Sequence, residues 1–360
     1  MTYSKRLSLL TGMAALSAWI CLEAQNGKMP ANQVQTKAER ASTLDPQLKA
    51  VIDQLKSMGG KPIDTLSAPE ARQQPSPTDA VKALLKKQGK NTAPEPVGNV
   101  QNRTIPGPAG AIPVRVYTPK GTGPFPLVVY FHGGGWVIAN LDTYDSSPRA
   151  LANGAGAVVV SVDYRQAPEH KFPAAPDDSY AATQWVMAHA QELNGRADKV
   201  AVAGESAGGN LATVTCLMAR DKGGKMPVYQ LLVYPITNYD LNTRSYKDSG
   251  NGPILTKAMM AWFYRQYLRD DTDGKNPYVS PLQASSLTGL PPAMVITDGQ
   301  DVLRSEGVQY ADKLRKSGIT VVQKNYPDMT HEFFGMGAAV DTAKSAEQEA
   351  AAQLKSAFGH

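Results

Sequence analysis

Residues 204–208 read Gly204-Glu205-Ser206-Ala207-Gly208, with Gly209 next. A serine between glycines at this spacing suits nucleophilic attack on an acyl carbon. The apolar run "VAVA" stands before it and the helical pattern "AGGNLATVTCLMA" overlaps and follows it. These flanks put Ser206 on a sharp strand-to-helix turn with its hydroxyl exposed, while Gly204 and Gly208 let neighbouring backbone pass closely. Without them the pentapeptide is a pattern that chance often produces, and a turn without catalysis is the competing reading.

A serine hydroxyl becomes a nucleophile only beside a general base, and a histidine base needs a carboxylate to orient it. In hydrolases of this layout the chain order is serine, then acid, then histidine. Of the five histidines, His132, His170 and His189 precede Ser206 and His360 is the terminal residue. That leaves His331, in "YPDMTHEFFG". The acid belongs after the seventh apolar run, where "AMVITDGQDVLRSEG" offers Asp298 and Asp301. Asp298 could instead end a strand and Asp301 could cap the next helix. Spacing leaves both open.

Attack on an ester places negative charge on the former carbonyl oxygen, and preorganised N–H groups stabilise it. One donor is expected to be the N–H of Ala207. The rest should come from "VYFHGGGW", whose His132-Gly133-Gly134-Gly135 ends a strongly apolar run. Three consecutive glycines are costly in ordered structure, which suggests a backbone that must approach something closely. A phosphate cradle is excluded by detail, because "HGGGWVIANLD" has neither G-x-x-x-x-G-K-[ST] nor G-x-G-x-x-G.

The elements that must hold these residues follow from periodicity. Eight short apolar runs, "VGNVQNRTI", "PVRVYTP", "LVVYFH", "AVVVSVDY", "VAVAGES", "LLVYP", "AMVITDG" and "VVQKNYP", alternate from the third onward with helical patterns. Several runs are Val-rich on both faces. An α/β fold is expected, with an eight-stranded, mostly parallel sheet covered by helices on both faces and the first two runs paired as an antiparallel edge hairpin. Residues 237–281 interrupt the alternation with an insertion containing "ILTKAMMAWFYRQYL". Residues 25–100 are polar and predict two helices, one near Ala41 to Met58 and one in "TDAVKALLKKQG", capped by Thr78 and Asp79 and stopped at Gly89. The catalytic domain is expected over 101–360.

Composition removes several classes. Net charge is +5 over 360 residues with 42% hydrophobic content and no block of five like charges, so nucleic acid is not the expected partner. Lys5 and Arg6 precede an apolar stretch from Leu7 to Leu22, too short for a comfortable membrane span and laid out like a secretory signal. Residues 1–24 are therefore expected to direct export to the periplasm or beyond, without stable membrane insertion afterwards. Bulky Trp19 and Ile20 before Cys21 argue against lipoprotein processing. Cys216 is the one other cysteine, so the mature chain has neither a disulfide framework nor a thiolate metal site.

In "HGGGW", "SVDYRQAPEHKFPAAPDD", "GESAGGNLA", "DVLRSEG" and "THEFFGM" the chain resembles the hormone-sensitive-lipase-like carboxylesterases, the bacterial family IV esterases of the α/β-hydrolase fold, from roughly Pro113 to the C-terminus. Three departures are modest: Val302 replaces a proline, Ser305 replaces an acid, and Glu205 stands where many members have aspartate. The resemblance implies Asp301 as the acid. It also implies that the helices within 25–100 and the insertion of 237–281 form a cap over the active site. "YRQAPEHKFPA" then ties loops together through Arg165 and Glu169, and His170 has no catalytic role. His132 is expected to brace the oxyanion loop, and Trp136 to pack near the pocket. The implied activity is hydrolysis of short- to medium-chain carboxylic esters with no metal or organic cofactor. An acetylated sugar or aromatic ester, a lactone or an amide is the alternative substrate, and a non-catalytic ligand-binding protein on the same scaffold the alternative class. A homodimer through the edge strand is left open.

Overall fold

The computed structural model describes residues 43–359. The expected export signal, Cys21 and His360 lie outside the described residues. Eight strands form one sheet: β1 Asn99–Gly107, β2 Gly110–Thr118, β3 Phe125–Phe131, β4 Val158–Val162, β5 Gly195–Glu205, β6 Gln230–Val233, β7 Ala293–Gln300 and β8 Val321–Thr330. Their order is β1-β2-β4-β3-β5-β6-β7-β8. β1 and β2 pair antiparallel, as does β2 with β4, and every pairing from β4 to β8 is parallel.

Alternate residues of the central strands feed two separate apolar layers. Leu127, Val129 and Phe131 of β3 join Val200 and Val202 of β5 on one face, while Val128, Tyr130, Ala201 and Ala203 point to the other. The first face is covered by α5 Ala174–Ala188, α6 Ala207–Asp221 and α9 Arg304–Lys316. The second is covered by α4 Ser146–Ala155 and α10 Asp341–Ala357. A strand apolar on both sides needs a helix layer on each, which is what the Val-rich runs demand.

Ahead of the sheet lie α1 Pro46–Ser57, α2 Ala68–Ala71 and α3 Pro77–Lys87. α1 begins later than expected: Asp45 caps it, accepting from the N–H groups of Gln47 and Leu48, and Pro46 opens it. α3 begins earlier. Its N-cap is Ser76 rather than Thr78, because Pro77 suits the first helical position and Asp79 answers Ser76 from the third in a capping box. Between β6 and β7 the chain forms α7 Arg244–Asp248 and α8 Lys257–Tyr267, whose Met260, Trp262, Phe263, Tyr264 and Tyr267 are buried.

Candidate active site

Ser206 sits between β5 and α6 at φ 56° and ψ −118°, a conformation that costs a non-glycine residue on the order of 1–3 kcal/mol. The surroundings enforce it. Its N–H donates to Val233 O at 2.9 Å, and its carbonyl accepts from Asn210 and Ile236 N–H at 3.0 and 3.2 Å. A Cβ on Gly204 would lie 2.2 Å from Gly208 O, and one on Gly208 would lie 1.9 Å from Phe131 O. At both glycines backbone meets backbone, and no side chain can yield.

From the loop after β8, His331 turns its Nε2 to Ser206 Oγ at 2.9 Å and its Nδ1 to Asp301 Oδ2 at 2.8 Å. A carboxylate only accepts, so Nδ1 carries the ring hydrogen and Nε2 presents its lone pair to the serine hydroxyl, the arrangement a general base requires. Asp301 Oδ1 accepts from Leu303 N–H at 3.0 Å, which fixes the carboxyl. Geometry thus selects Asp301 over Asp298. Burial disfavours the imidazolium of His331, but the charge and hydrogen bond of Asp301, followed by Glu332 and Glu205, outweigh it and raise the pKa above the usual value.

The three glycines each answer to a different neighbour. A Cβ on Gly133 would stand 2.2 Å from Tyr144 Oη, one on Gly134 2.2 Å from Ile138 O, and one on Gly135 2.2 Å from a ring carbon of Phe263 on α8. Gly134 and Gly135 have φ values of 90° and 57°. His132 braces the turn: its Nδ1–H donates to Gly133 O at 2.9 Å, and its ring stacks on Tyr164 with centroids 4.5 Å apart. Burial pulls its pKa down to about 4, so the brace is neutral. Trp136 is fully buried and stacks on Tyr267 at 4.1 Å.

Glu205, directly before Ser206, accepts from Tyr130 Oη at 2.5 Å and from Tyr234 Oη. Burial, then the charge of Glu332, pushes its pKa up to about 7. Glu332 is a site residue absent from the sequence reading. It adopts φ 69°, accepts from Tyr144 Oη at 2.6 Å, and holds Oε1 3.8 Å from His331 Nε2. Its one sequence signal was adjacency to His331. Arg72 gave none, yet its guanidinium donates to Val137 O and Ala167 O at 2.8 Å and pairs bidentately with Glu169 at 2.8 and 2.7 Å. Arg165 pairs with Asp178 of α5 at 2.7 Å, so of the two residues in "YRQAPEHKFPA" expected to tie loops, Arg165 joins its loop to a helix and Glu169 joins its loop to Arg72 at the end of α2.

Ser206, His331, Glu332, Gly134 and Gly135 border a cavity of about 620 Å³. Its walls include Arg72, Gln74 and Lys82 on one side and Leu255, Met259, Met260 and Phe263 on another. Among the described residues the cluster with metal-ligand spacing is Asp298, Asp301 and His331, all buried. Both ring nitrogens of His331 are already engaged, which suits proton movement rather than cation binding.

A strained serine at a β5–α6 turn, a histidine delivered from beyond β8 and an acid from beyond β7 define an α/β hydrolase. Residues 128–335 match the family described as alpha/beta hydrolase fold. Carboxylic ester hydrolase LipN of Mycobacterium tuberculosis is 48% identical over 244 residues, which span 66% of this chain and 65% of LipN. Carboxylesterase NlhH of the same organism is 44% identical over 252 residues, 69% of this chain and 79% of NlhH. Among solved structures, a hyperthermophilic esterase from Pyrobaculum calidifontis superposes with a TM-score of 0.78 at 41% identity, covering 88% of this chain and 99% of that one. The chain belongs to this family, in its hormone-sensitive-lipase-like group.

Proposed function

We propose that the protein is a serine carboxylesterase acting on short- to medium-chain esters. The observation that carries this reading is the hydrogen-bonded series Asp301, His331, Ser206, ending at a strained serine on the cavity wall. His331 Nε2 removes the Ser206 proton as Oγ attacks the ester carbon. The resulting oxyanion is held by the N–H of Ala207 and by N–H groups of the Gly133-Gly134-Gly135 loop. Gly134 and Gly135 line the cavity, which favours them over Gly133 as the donors. The imidazolium then protonates the departing alcohol, and water, deprotonated by His331, releases the acid from Ser206. Asp301 holds the ring throughout. Each proton returns to its starting place.

The helices of residues 46–87 and the insertion carrying α8 act as the cap, since both supply cavity walls. A cavity of about 620 Å³ with apolar Leu255, Met259, Met260 and Phe263 supports acyl chains of modest length. Residues 1–24 are proposed to direct export, which cell fractionation tests. The activity test compares wild type with Ser206→Ala on nitrophenyl esters of graded acyl length. Loss of turnover by roughly three or more orders of magnitude is expected, with a rate optimum at short to medium chains. Comparable rates in the two proteins refute the assignment.

A further inference from the structure

Asp298, near the end of β7, is fully buried, and neither of its carboxyl oxygens has a hydrogen-bond donor among the described residues. One oxygen each from Asp298 and Asp301 and a ring nitrogen of His331 lie within 4.8 Å of one another. An ionised carboxylate without donors in such a place is strongly disfavoured, so the group keeps its proton. A carboxylic acid has one O–H to give, and the acceptor at hand is Asp301.

We infer that Asp298 is a positioning residue, a neutral acid whose O–H donates to the Asp301 carboxylate and shares its charge. The proton stays on Asp298; it is offered, not transferred. Asp301 is then gripped by three donors: this O–H, Leu303 N–H and His331 Nδ1–H. The charged groups facing Asp298 are Asp301, Arg304 at the start of α9, and Glu332 and His331 from the loop after β8. Arg304 spends one N–H on Gly299 O at 2.9 Å and lies 3.9 Å from Asp248, so it only partly offsets the acids. Burial first, then the Asp301 charge, holds the Asp298 pKa well above the carboxylate range. The inference rests on Asp301 being the orienting acid.

Asp298→Asn keeps a donor of the same shape and cannot ionise; Asp298→Leu has no donor. With a nitrophenyl ester, D298N is expected to stay within about threefold of the wild-type kcat with the acid limb of kcat/KM in place. D298L is expected to lose roughly tenfold in kcat at near-constant KM, with the limb moved upward because the unshared Asp301 charge favours the imidazolium. Stability provides a readout without turnover. The native state keeps a proton that the unfolded chain sheds above about pH 4, so wild-type stability falls as pH rises from there. D298N has no such slope, and its Tm should gain on wild type between pH 5 and 9, by up to about tenfold in folding constant per pH unit. If D298L does not fold, the D298N slope and acid limb decide alone. A constant Tm difference across that range, or a D298N loss equal to that of D298L, overturns the inference. Near-wild-type turnover of Asp301→Asn would instead overturn the triad assignment, a result the Tm slope does not depend on.

Discussion

Substituting Gly135 by alanine probes how the Gly133-Gly134-Gly135 loop meets the insertion. Two penalties follow from the structure. The first is conformational: φ 57° costs a residue with a Cβ about 1–2 kcal/mol. The second is steric, because the new methyl would lie 2.2, 2.3 and 2.7 Å from three ring carbons of Phe263. That ring is buried and packs on Trp262, so it must shift by more than 1 Å against filled space to restore contact, an overpacking cost of about 1–3 kcal/mol. The sum is about 2–5 kcal/mol. Phe263→Ala empties the collision site, at its own cost of about 3–5 kcal/mol, and leaves the conformational part. In the F263A background the Gly135→Ala penalty should therefore shrink to about 1–2 kcal/mol, a coupling of about 1–3 kcal/mol. Urea midpoints of wild type, both single variants and the double variant measure it, and kcat/KM on a butyrate ester follows the loop in parallel. An equal Gly135→Ala penalty in both backgrounds would refute the contact and the docking of α8 on the loop.

Other perturbations separate charge, strain and proton linkage. Glu332→Gln removes an anion 3.8 Å from His331 Nε2, so the acid limb of kcat/KM should move down by roughly half to one pH unit; an unmoved limb in a pH-rate profile contradicts that influence. Gly208→Ala puts a methyl 1.9 Å from Phe131 O and should abolish soluble, folded protein, whereas Ser206→Ala should fold normally; a native circular-dichroism spectrum from G208A would refute the backbone crossing. Glu205, with a folded pKa of about 7 against 4.5 when unpacked, keeps its proton in the native state up to about pH 7, so stability is lost as pH rises from 4.5 through that value. Glu205→Gln should accordingly gain about 3 kcal/mol on wild type between pH 4.5 and 8; denaturant curves at the two ends check it, and no gain would mean the carboxyl is ionised throughout.

All eight strands fall where the runs placed them; the central ones were legible because burial on both faces leaves a Val-rich signature, whereas the largely exposed β1 and β8 were marked by shorter β-branched runs at the sheet edges. Three helices were not legible, the first being α2, a single turn of four residues. α10, "DTAKSAEQEAAAQLKSA", buries alanines, so it lacks the large apolar side chains that reveal a 3.6-residue period, although its helix propensity is high. α4 opens with Ser-Ser-Pro and ends near Asn-Gly, a composition that reads as a turn. The insertion of β4 between β2 and β3 has no local trace, since strand order is set by crossovers. Within the site, the flanked pentapeptide isolated Ser206, and chain order from that serine isolated His331. Asp298 and Asp301 could not be separated that way, because both are buried acids three residues apart and what distinguishes them is which one reaches the imidazole. Glu332 and Tyr144 escaped because their approach depends on a positive φ and on a contact across 188 positions.

The Arg72 fork bears on how far these enzymes are modular. It holds the carbonyl of Val137, one residue beyond the Gly-Gly-Gly-Trp turn, and that of Ala167, while its other face is matched to Glu169. The N-terminal segment is thus fastened to the loop that would receive the oxyanion, and it supplies part of the cavity wall. Trading that segment between relatives to alter substrate range would carry one half of a matched set and leave the other behind. A lysine at 72 could not span three acceptors in one plane. Successful chimeras should be those that transplant positions 72 and 169 together, so that the unit of exchange is a pairing across the fold and not a stretch of chain.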